Sequence, residues 1–204
     1  MKNRFFSGVA FLGLTVLFLT SCTEVPQAEI DNANAAIELA KSAGADIYVH
    51  DNFIALQDSM SQAMVSIESQ KSKLFKNYNE AIEKLGGVCQ YAAEIQHLSD
   101  VRKIELNAEI QKTIEEVSVL IASNNSLILE APKGKEGNSA LVAIKGENDA
   151  IETSINEIKT LAESTNYQIT LDKTNAAKDK ALSINTELTN VIAKFKGNQK
   201  VKKS

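Results

Sequence analysis

Apolar side chains recur every three or four positions along most of the chain after residue 26, which is the spacing of one face of an α-helix. Strand-like alternation of apolar and polar residues does not extend over any useful length. We therefore predict an all-α fold, an elongated antiparallel bundle of about five helices. The seams of the first two helices are Ile30, Ala33, Ile37, Ala40 and Gly44, and then Phe53, Leu56, Met60, Ala63, Met64, Ile67, Gln70 and Leu74.

The ends of these two helices are predicted from residues with special backbone preferences. Pro26 suits a first helical turn, because the N–H group that it lacks is not needed there. Gly44 is predicted to end the first helix, as glycine does at many helix C-termini. Asp51 is a good N-cap for the second helix.

The longest helical pattern starts near residue 77 and runs to about residue 130. Its seam changes phase near the middle, as in a stutter where an apolar stripe changes partner. This favours two three-helix bundles that share one long helix. The alternative is a compact five-helix domain with a break at Gly86 and Gly87, since each costs ~1 kcal/mol relative to Ala. The seam comprises Tyr78, Ile82, Leu85, Cys89, Ala92 and Ile95, then Leu98, Val101, Ile104 and Ala108, then Ile110, Ile114, Val117, Ile121 and Ile128.

The stretch APKGKEGNS, residues 131–139, is the clearest loop, because it combines Pro, two Gly and three charged residues. Beyond it we predict two shorter helices, the last of which ends at Gly197. Asn148 falls on a seam and is predicted to fix helix register rather than to bind a ligand. The chain thus divides into a first bundle (22–131), a loop (132–138), a second helical part (139–197) and a basic tail (198–204).

The start of the chain has a different pattern. Two basic residues, Lys2 and Arg4, precede an uncharged apolar run over residues 5–19. The run is shorter than the ~20 apolar residues that span a membrane. This order of a basic and an apolar region is typical of a secretory signal peptide, here residues 1–21.

The run ends in Leu19-Thr20-Ser21-Cys22, which resembles the lipobox of bacterial lipoproteins. The resemblance implies cleavage before Cys22 and diacylglycerol on its sulfur, so that the membrane is a partner through covalent lipid. The residue after the cysteine is Thr23 and not the aspartate that resembles an inner-membrane retention signal. A location at the outer membrane of the bacterial cell envelope is therefore favoured, with the periplasmic and the surface face both open.

A second resemblance covers most of the remaining chain. Residues 26–131, with A-x-x-A-I at 33–37 and a Gly44-Ala45 turn, look like an uncharacterised helical domain of bacterial lipoproteins. Tyr167 and the segment KTNAAKDKA at 173–181 resemble the second half of a tetratricopeptide-like hairpin. Both resemblances imply a helical envelope lipoprotein without known catalysis.

The composition of the chain argues against several classes of function. The whole chain has a formal net charge of −4, and loss of Lys2 and Arg4 with the leader leaves 20 basic against 26 acidic residues, or −6. This acidic balance argues against nucleic acid as a partner. The chain has no Trp and few other aromatic residues, which makes a deep ligand pocket unexpected. Cys89 has no second thiol to pair with if Cys22 is acylated, and we interpret it as a small buried apolar residue.

Residues that carry catalytic or metal chemistry are few and scattered. His50 is expected in a loop and His97 on a solvated helix face, and neither belongs to a metal-binding motif. Glu115 and Glu116 are adjacent, so they do not face each other and are expected to be solvated. No cofactor, metal site or catalytic residue is predicted, and the oligomeric state is open.

The basic tail has two interpretations, a solvated chain end or a contact for anionic headgroups. We predict a membrane-anchored envelope lipoprotein with a helical structural or interaction role and no catalysis. An envelope protein is the possible partner. The alternatives are a surface-displayed protein that binds a host or phage component and, less favoured, a carrier of a small ligand.

Overall fold

Helices dominate the parts of the chain that the computed structural model describes, residues 24–133, 137–161 and 166–202. These parts contain no strand, so the predicted all-α fold is confirmed. The helices are α1 (Gln27–Ser42), α2 (Ala45–Tyr48), α3 (His50–Lys71), α4 (Asn79–Glu130), α5 (Gly137–Leu161) and α6 (Tyr167–Lys202). The described helices number six rather than five, because the turn after α1 forms the short helix α2.

The predicted leader and Cys22 lie outside the described residues. In the described ranges no helix combines the length and the apolar character that crossing a membrane requires.

Helix α4 is the axis of the fold. It contains 52 residues and is therefore ~78 Å long at a rise of 1.5 Å per residue. Gly86 and Gly87 lie inside it without a break, since Leu85 and Val88 beside them are buried against the neighbouring helices. The compact alternative with a broken helix is therefore wrong. All the other helices pack along α4.

Two separate clusters of buried side chains lie on successive halves of α4. The first is built by α1, α2, α3 and the first half of α4, and contains Ile30, Ala33, Ala40, Ala45, Phe53, Leu56, Ala63, Ile67, Tyr78, Ala81, Leu85, Val88, Ala92 and Ile95. The second is built by α5, α6 and the second half of α4, and its larger members include Leu106, Ile110, Ile114, Val117, Ile121, Ile151, Ile155, Ile158, Leu171, Ile184, Leu188 and Ile192. The shared long helix that the sequence favoured is therefore observed.

The short helix α2 connects the two clusters. Gly44 adopts a left-handed conformation with φ of 84°, which turns the chain sharply out of α1. Tyr48, four residues later, packs against the second cluster although it belongs to the first three helices. Its hydroxyl accepts a hydrogen bond of 3.3 Å from the backbone N–H of Tyr167 in α6. The ammonium of Lys103 lies 5.6 Å from the centre of the Tyr48 ring, within the range of a cation–π contact.

The apolar stripe on α4 moves around the helix, as predicted from the sequence. The residues that carry it through this change are not the predicted ones. Buried residues alternate three and four apart from Ala81 to Ser99, whereas Leu106, Ile110 and Ile114 follow one another at intervals of four. Intervals of four exceed 3.6 residues per turn, so the stripe moves around the helix there. The predicted seam residues Val101, Ile104 and Ala108 are exposed instead.

Several predicted helix ends also differ from the observed ones. Helix α3 stops at Lys71, so Leu74 lies in the following turn and is 90% exposed rather than on the seam. Helix α6 continues through Gly197 to Lys202. The segment predicted as a basic tail is therefore helical over its described part, and Gly197 does not end the helix. Of the loop at 131–139, residues 131–133 are described as non-helical and Gly137 already begins α5.

Candidate functional site

The described chain begins only two residues after Cys22, the predicted lipid site. Val25 is half-buried against the first cluster, and Pro26 is buried. The carbonyl of Val25 accepts a 2.7 Å hydrogen bond from the N–H of Gln27, and the carbonyl of Pro26 accepts one of 3.1 Å from Ile30. The chain is therefore fixed to the helical body from Val25 onward, and only Thr23 and Glu24 separate that point from Cys22.

The two histidines occupy exposed positions on different helices. His50 is the first residue of α3 rather than a loop residue, and its Nδ1 donates a hydrogen bond of 3.1 Å to the carbonyl of Asp46. His97 is exposed on α4, as predicted. Across the described residues, no three His, Cys, Asp or Glu side chains come close enough together to hold a metal ion.

Cys89 is half-buried rather than buried, and packs against the edge of the first cluster. The position that faces the core here is Val88, one residue before Cys89, whereas the predicted seam residue Ala92 is buried.

The adjacent carboxylates on α4 have different surroundings. Glu115 is exposed, as predicted, whereas Glu116 lies 2.5 Å from the ammonium of Lys178 on α6. The hydrogen bond from Lys178 lowers the pKa of Glu116, and the same bond raises the pKa of Lys178. The pair therefore connects α4 to α6.

The most concentrated polar chemistry in the described residues is a set of asparagines inside the second half of the molecule. Asn124 on α4 and Asn148 on α5 are fully buried. The side-chain amide of Asn124 donates to Oδ1 of Asn148 at 3.1 Å and to the carbonyl of Ala181 at 3.0 Å. Its own Oδ1 accepts a 2.9 Å hydrogen bond from Asn185 on α6. The cluster thus joins three helices at one level.

The side-chain nitrogen and oxygen of both Asn124 and Asn148 form hydrogen bonds within the protein. Asn148 donates to Oδ1 of Asn125 at 3.0 Å and to the carbonyl of Ile121 at 3.3 Å. A polar network that is satisfied internally specifies packing and leaves little for a ligand. The prediction that Asn148 fixes register therefore has a structural basis. Its partner Asn124 was missed, because it lies in the polar run SNNS that interrupts the apolar pattern of α4.

A groove of about 550 Å³ lies between α5 and α6. Small side chains line much of it, and charged residues flank it on both helices. The lining includes Ala150, Ser154, Ala176, Ser183, Glu147, Lys173, Lys180 and Glu187. Most of these side chains are exposed, so the groove offers a shallow surface with both charges and not an enclosed pocket.

Comparisons of this chain with known protein families, with curated proteins and with solved structures found no match in any of the three.

Proposed function

We propose that this protein is a bacterial envelope lipoprotein, anchored by lipid on Cys22, whose helical body is a structural or interaction module without catalysis. The observation that carries the proposal is the segment Leu19-Thr20-Ser21-Cys22 directly behind an uncharged apolar run and two basic residues. A cysteine is the residue needed there, because its thiolate is the nucleophile that forms a thioether with the lipid. Two or more acyl chains make such an anchor stable.

The way the body begins supports this assignment. Because Val25 packs against the first cluster and Pro26 is buried, the linker from Cys22 contains almost no free chain. At ~3.5 Å per extended residue the body starts within about 15 Å of the lipid. A short linker suits a protein whose position relative to the membrane matters.

The separation of reactive side chains supports a role without catalysis. His50, His97 and Cys89 are neither convergent nor enclosed in the described residues, and the buried asparagines bond to one another. The long continuous α4 with helices along both halves is instead a shape that presents an extended surface. We propose an envelope protein as the partner of that surface.

Labelling of cells with a palmitate analogue tests the lipid anchor. We expect the wild-type protein to be labelled and Cys22→Ala to lose the label. The chain contains only one other cysteine, so Cys89→Ala is a matched control that keeps the label. Equal labelling of Cys22→Ala and wild type would show that the anchor is wrong.

Protease treatment of intact cells determines the face of the membrane. Protection of the body until the outer membrane is opened places it in the periplasm. Cleavage in intact cells places it on the surface and favours the alternative role, in which the protein binds a host or phage component.

A further inference from the structure

The turn between α3 and α4 exposes two large apolar side chains at one end of the molecule. Leu74 is 90% exposed and Phe75 is 87% exposed, which makes them the most exposed large apolar residues of the described chain. They are adjacent in sequence and lie at the tip of a helical hairpin. An isolated exposed leucine needs no explanation, but a leucine and a phenylalanine together at a tip do.

Hydrogen bonds on both sides hold the turn in shape. The side-chain oxygen of Gln70 accepts a 3.3 Å hydrogen bond from the N–H of Asn77, and its backbone carbonyl accepts one of 3.1 Å from Lys73. Asn77 in turn accepts a 3.0 Å hydrogen bond from the N–H of Asn79. Tyr78, the next residue after the turn, is 1% exposed in the first cluster. Leu74 and Phe75 therefore project from a fixed turn.

The charge around these side chains is positive. The turn contains Lys73 and Lys76, and neither forms an ion pair with another described residue. The nearby acidic residues Glu68 and Glu80 are already paired, with Lys71 at 2.5 Å and with Lys84 at 2.8 Å. Two lysines beside exposed apolar side chains are complementary to an anionic lipid surface, which takes up both the apolar groups and the charge.

The turn also lies at the end of the molecule where the chain leads to Cys22. Helix α1 runs parallel to α4, and the α2 corner after α1 is fixed beside Lys103. Both helices rise ~1.5 Å per residue. The distance along α4 from Lys103 to Asn79 exceeds the distance along α1 from the corner to Gln27 by ~10 Å, so Gln27 lies ~10 Å short of the level of Asn79. The residues from Cys22 to Val25 span up to ~14 Å when extended. A lipid on Cys22 can therefore reach the level of the turn.

We infer that the α3–α4 turn is a second membrane contact, in which Leu74 and Phe75 insert into the headgroup region of an anionic bilayer and Lys73 and Lys76 bind lipid phosphate. This rests on the proposed lipid anchor for the choice of membrane. Two contacts at one end hold α4 upright, and its other end stands away from the bilayer.

The absence of Trp from the chain makes a direct test possible. In Phe75→Trp the only indole marks the turn, and the exposed position tolerates the larger ring. The processed full chain is purified and reconstituted into phosphatidylcholine vesicles that contain phosphatidylglycerol with brominated acyl chains. We expect a blue-shifted emission that bromine quenches by about half or more. Leu129→Trp is the control, since it is 76% exposed and lies ~75 Å along α4 from Asn79.

The outcomes separate contact by the turn from other arrangements. Quenching of Phe75→Trp no stronger than that of Leu129→Trp would overturn the inference, whether both are weak or both are strong. A blue shift without quenching by bromine would also overturn the inference, because the indole would then be buried against protein and not in lipid. Lys73→Gln with Lys76→Gln in the Phe75→Trp background is expected to reduce the quenching at least twofold. Unchanged quenching would refute the role of the lysines.

The mass of the same purified sample reports whether Cys22 carries lipid. Lipidated protein without quenching of Phe75→Trp would overturn the second contact and leave the anchor intact. Protein without lipid that is still quenched would support the contact at the turn, while the proposed anchor fails.

Discussion

The two halves of α4 pack against their neighbours with different side chains. Around the first half, small residues occupy much of the interface, and six fully buried alanines are Ala33, Ala40, Ala45, Ala63, Ala81 and Ala92. Around the second half, isoleucine and leucine predominate, and polar residues enter the core. These buried polar residues are Thr113, Asn124, Asn148, Thr170 and Thr174.

This difference has a physical consequence for each half. Alanine at an interface lets helix axes approach closely. In the first half the helices therefore make contact at short interaxial distances, and little space remains for larger side chains. Large aliphatic side chains keep helices farther apart, and the groove between α5 and α6 fits that wider spacing. The asparagine cluster then specifies which residues face each other, a task that aliphatic side chains perform poorly.

The largest effect is expected from removing the centre of the asparagine cluster. Asn124→Leu leaves the buried Oδ1 of Asn148 without its partner and removes one of the two acceptors of the Asn185 amide, which keeps Ser123. Each buried polar group without a partner costs about 1–3 kcal/mol, so we expect the free energy of unfolding to fall by about 3 kcal/mol. Urea unfolding followed by circular dichroism measures it.

Two further variants show whether the loss comes from the network. Asn107→Leu changes an exposed asparagine of the same helix and should leave stability nearly unchanged. Asn124→Leu combined with Asn148→Leu should cost less than the sum of the two single changes, because residues in one network couple. Strict additivity would contradict the interpretation of the cluster as a unit.

The next effect tests the tight packing of the first half. Ala63 on α3 is fully buried, whereas Ala150 on α5 is exposed in the groove. Ala63→Leu inserts three carbons where no space exists, which we expect to lower the free energy of unfolding by about 1–3 kcal/mol. Ala150→Leu should stay within about 0.5 kcal/mol of wild type. Equal losses in the two variants would mean that the surroundings of Ala63 are not tightly packed.

The sequence predicts the helices better than it predicts their contacts. The periodicity of apolar residues was sufficient for the all-α fold and for the long α4. The misassigned residues lie where the pattern is ambiguous. Val101 and Ile104 are apolar but exposed, because each lies two positions from a buried residue, Ser99 or Leu106, and so on the opposite side of α4.

The candidate site was harder to predict because its information is not local. Asn148 interrupts an apolar seam and could be recognised, whereas Asn124 lies in a polar run and is identified only by its partners on α5 and α6. Leu74 fits the spacing of the α3 seam. Only the end of α3 at Lys71 reveals that Leu74 projects into solvent beside Phe75.

A smaller and favourable effect is expected at the glycines of α4. A Cβ placed on Gly86 or Gly87 would meet nothing within 4 Å, so alanine fits without strain. Each of the changes Gly86→Ala and Gly87→Ala should raise the free energy of unfolding by about 1 kcal/mol, because alanine loses less backbone entropy in a helix. Thermal unfolding measures the gain.

Glycines at other positions serve as comparisons for the stability gain expected at Gly86 and Gly87. Gly146→Ala on α5 has equally open surroundings and should give a similar gain in the other half. Gly44→Ala should instead destabilise the protein, since its φ is 84° and a Cβ would lie 2.8 Å from the Tyr48 ring. A gain at Gly44 would show that the corner does not need its left-handed backbone.

The smallest effect concerns an ion pair in each half. Glu80 pairs with Lys84 within α4, and Glu116 pairs with Lys178 across to α6. The hydrogen bond from the lysine lowers the pKa of each carboxyl. A carboxyl with a lowered pKa in the folded state stabilises the protein above its unfolded pKa, and this contribution disappears as the pH falls through the folded pKa.

Comparison of the two pairs separates local from long-range electrostatics. At neutral pH, Glu116→Gln should lower the melting temperature slightly, because it releases α6 from α4, while Glu80→Gln changes only one helical turn. Glu80 and Lys84 are exposed and Glu116 and Lys178 are half-exposed, so the shifts should be near the limit of detection and shrink further at high salt. Below the lowered pKa, wild type and Glu116→Gln should melt at the same temperature. A difference that persists there would mean that Glu116 acts through packing of its side chain and not through its charge.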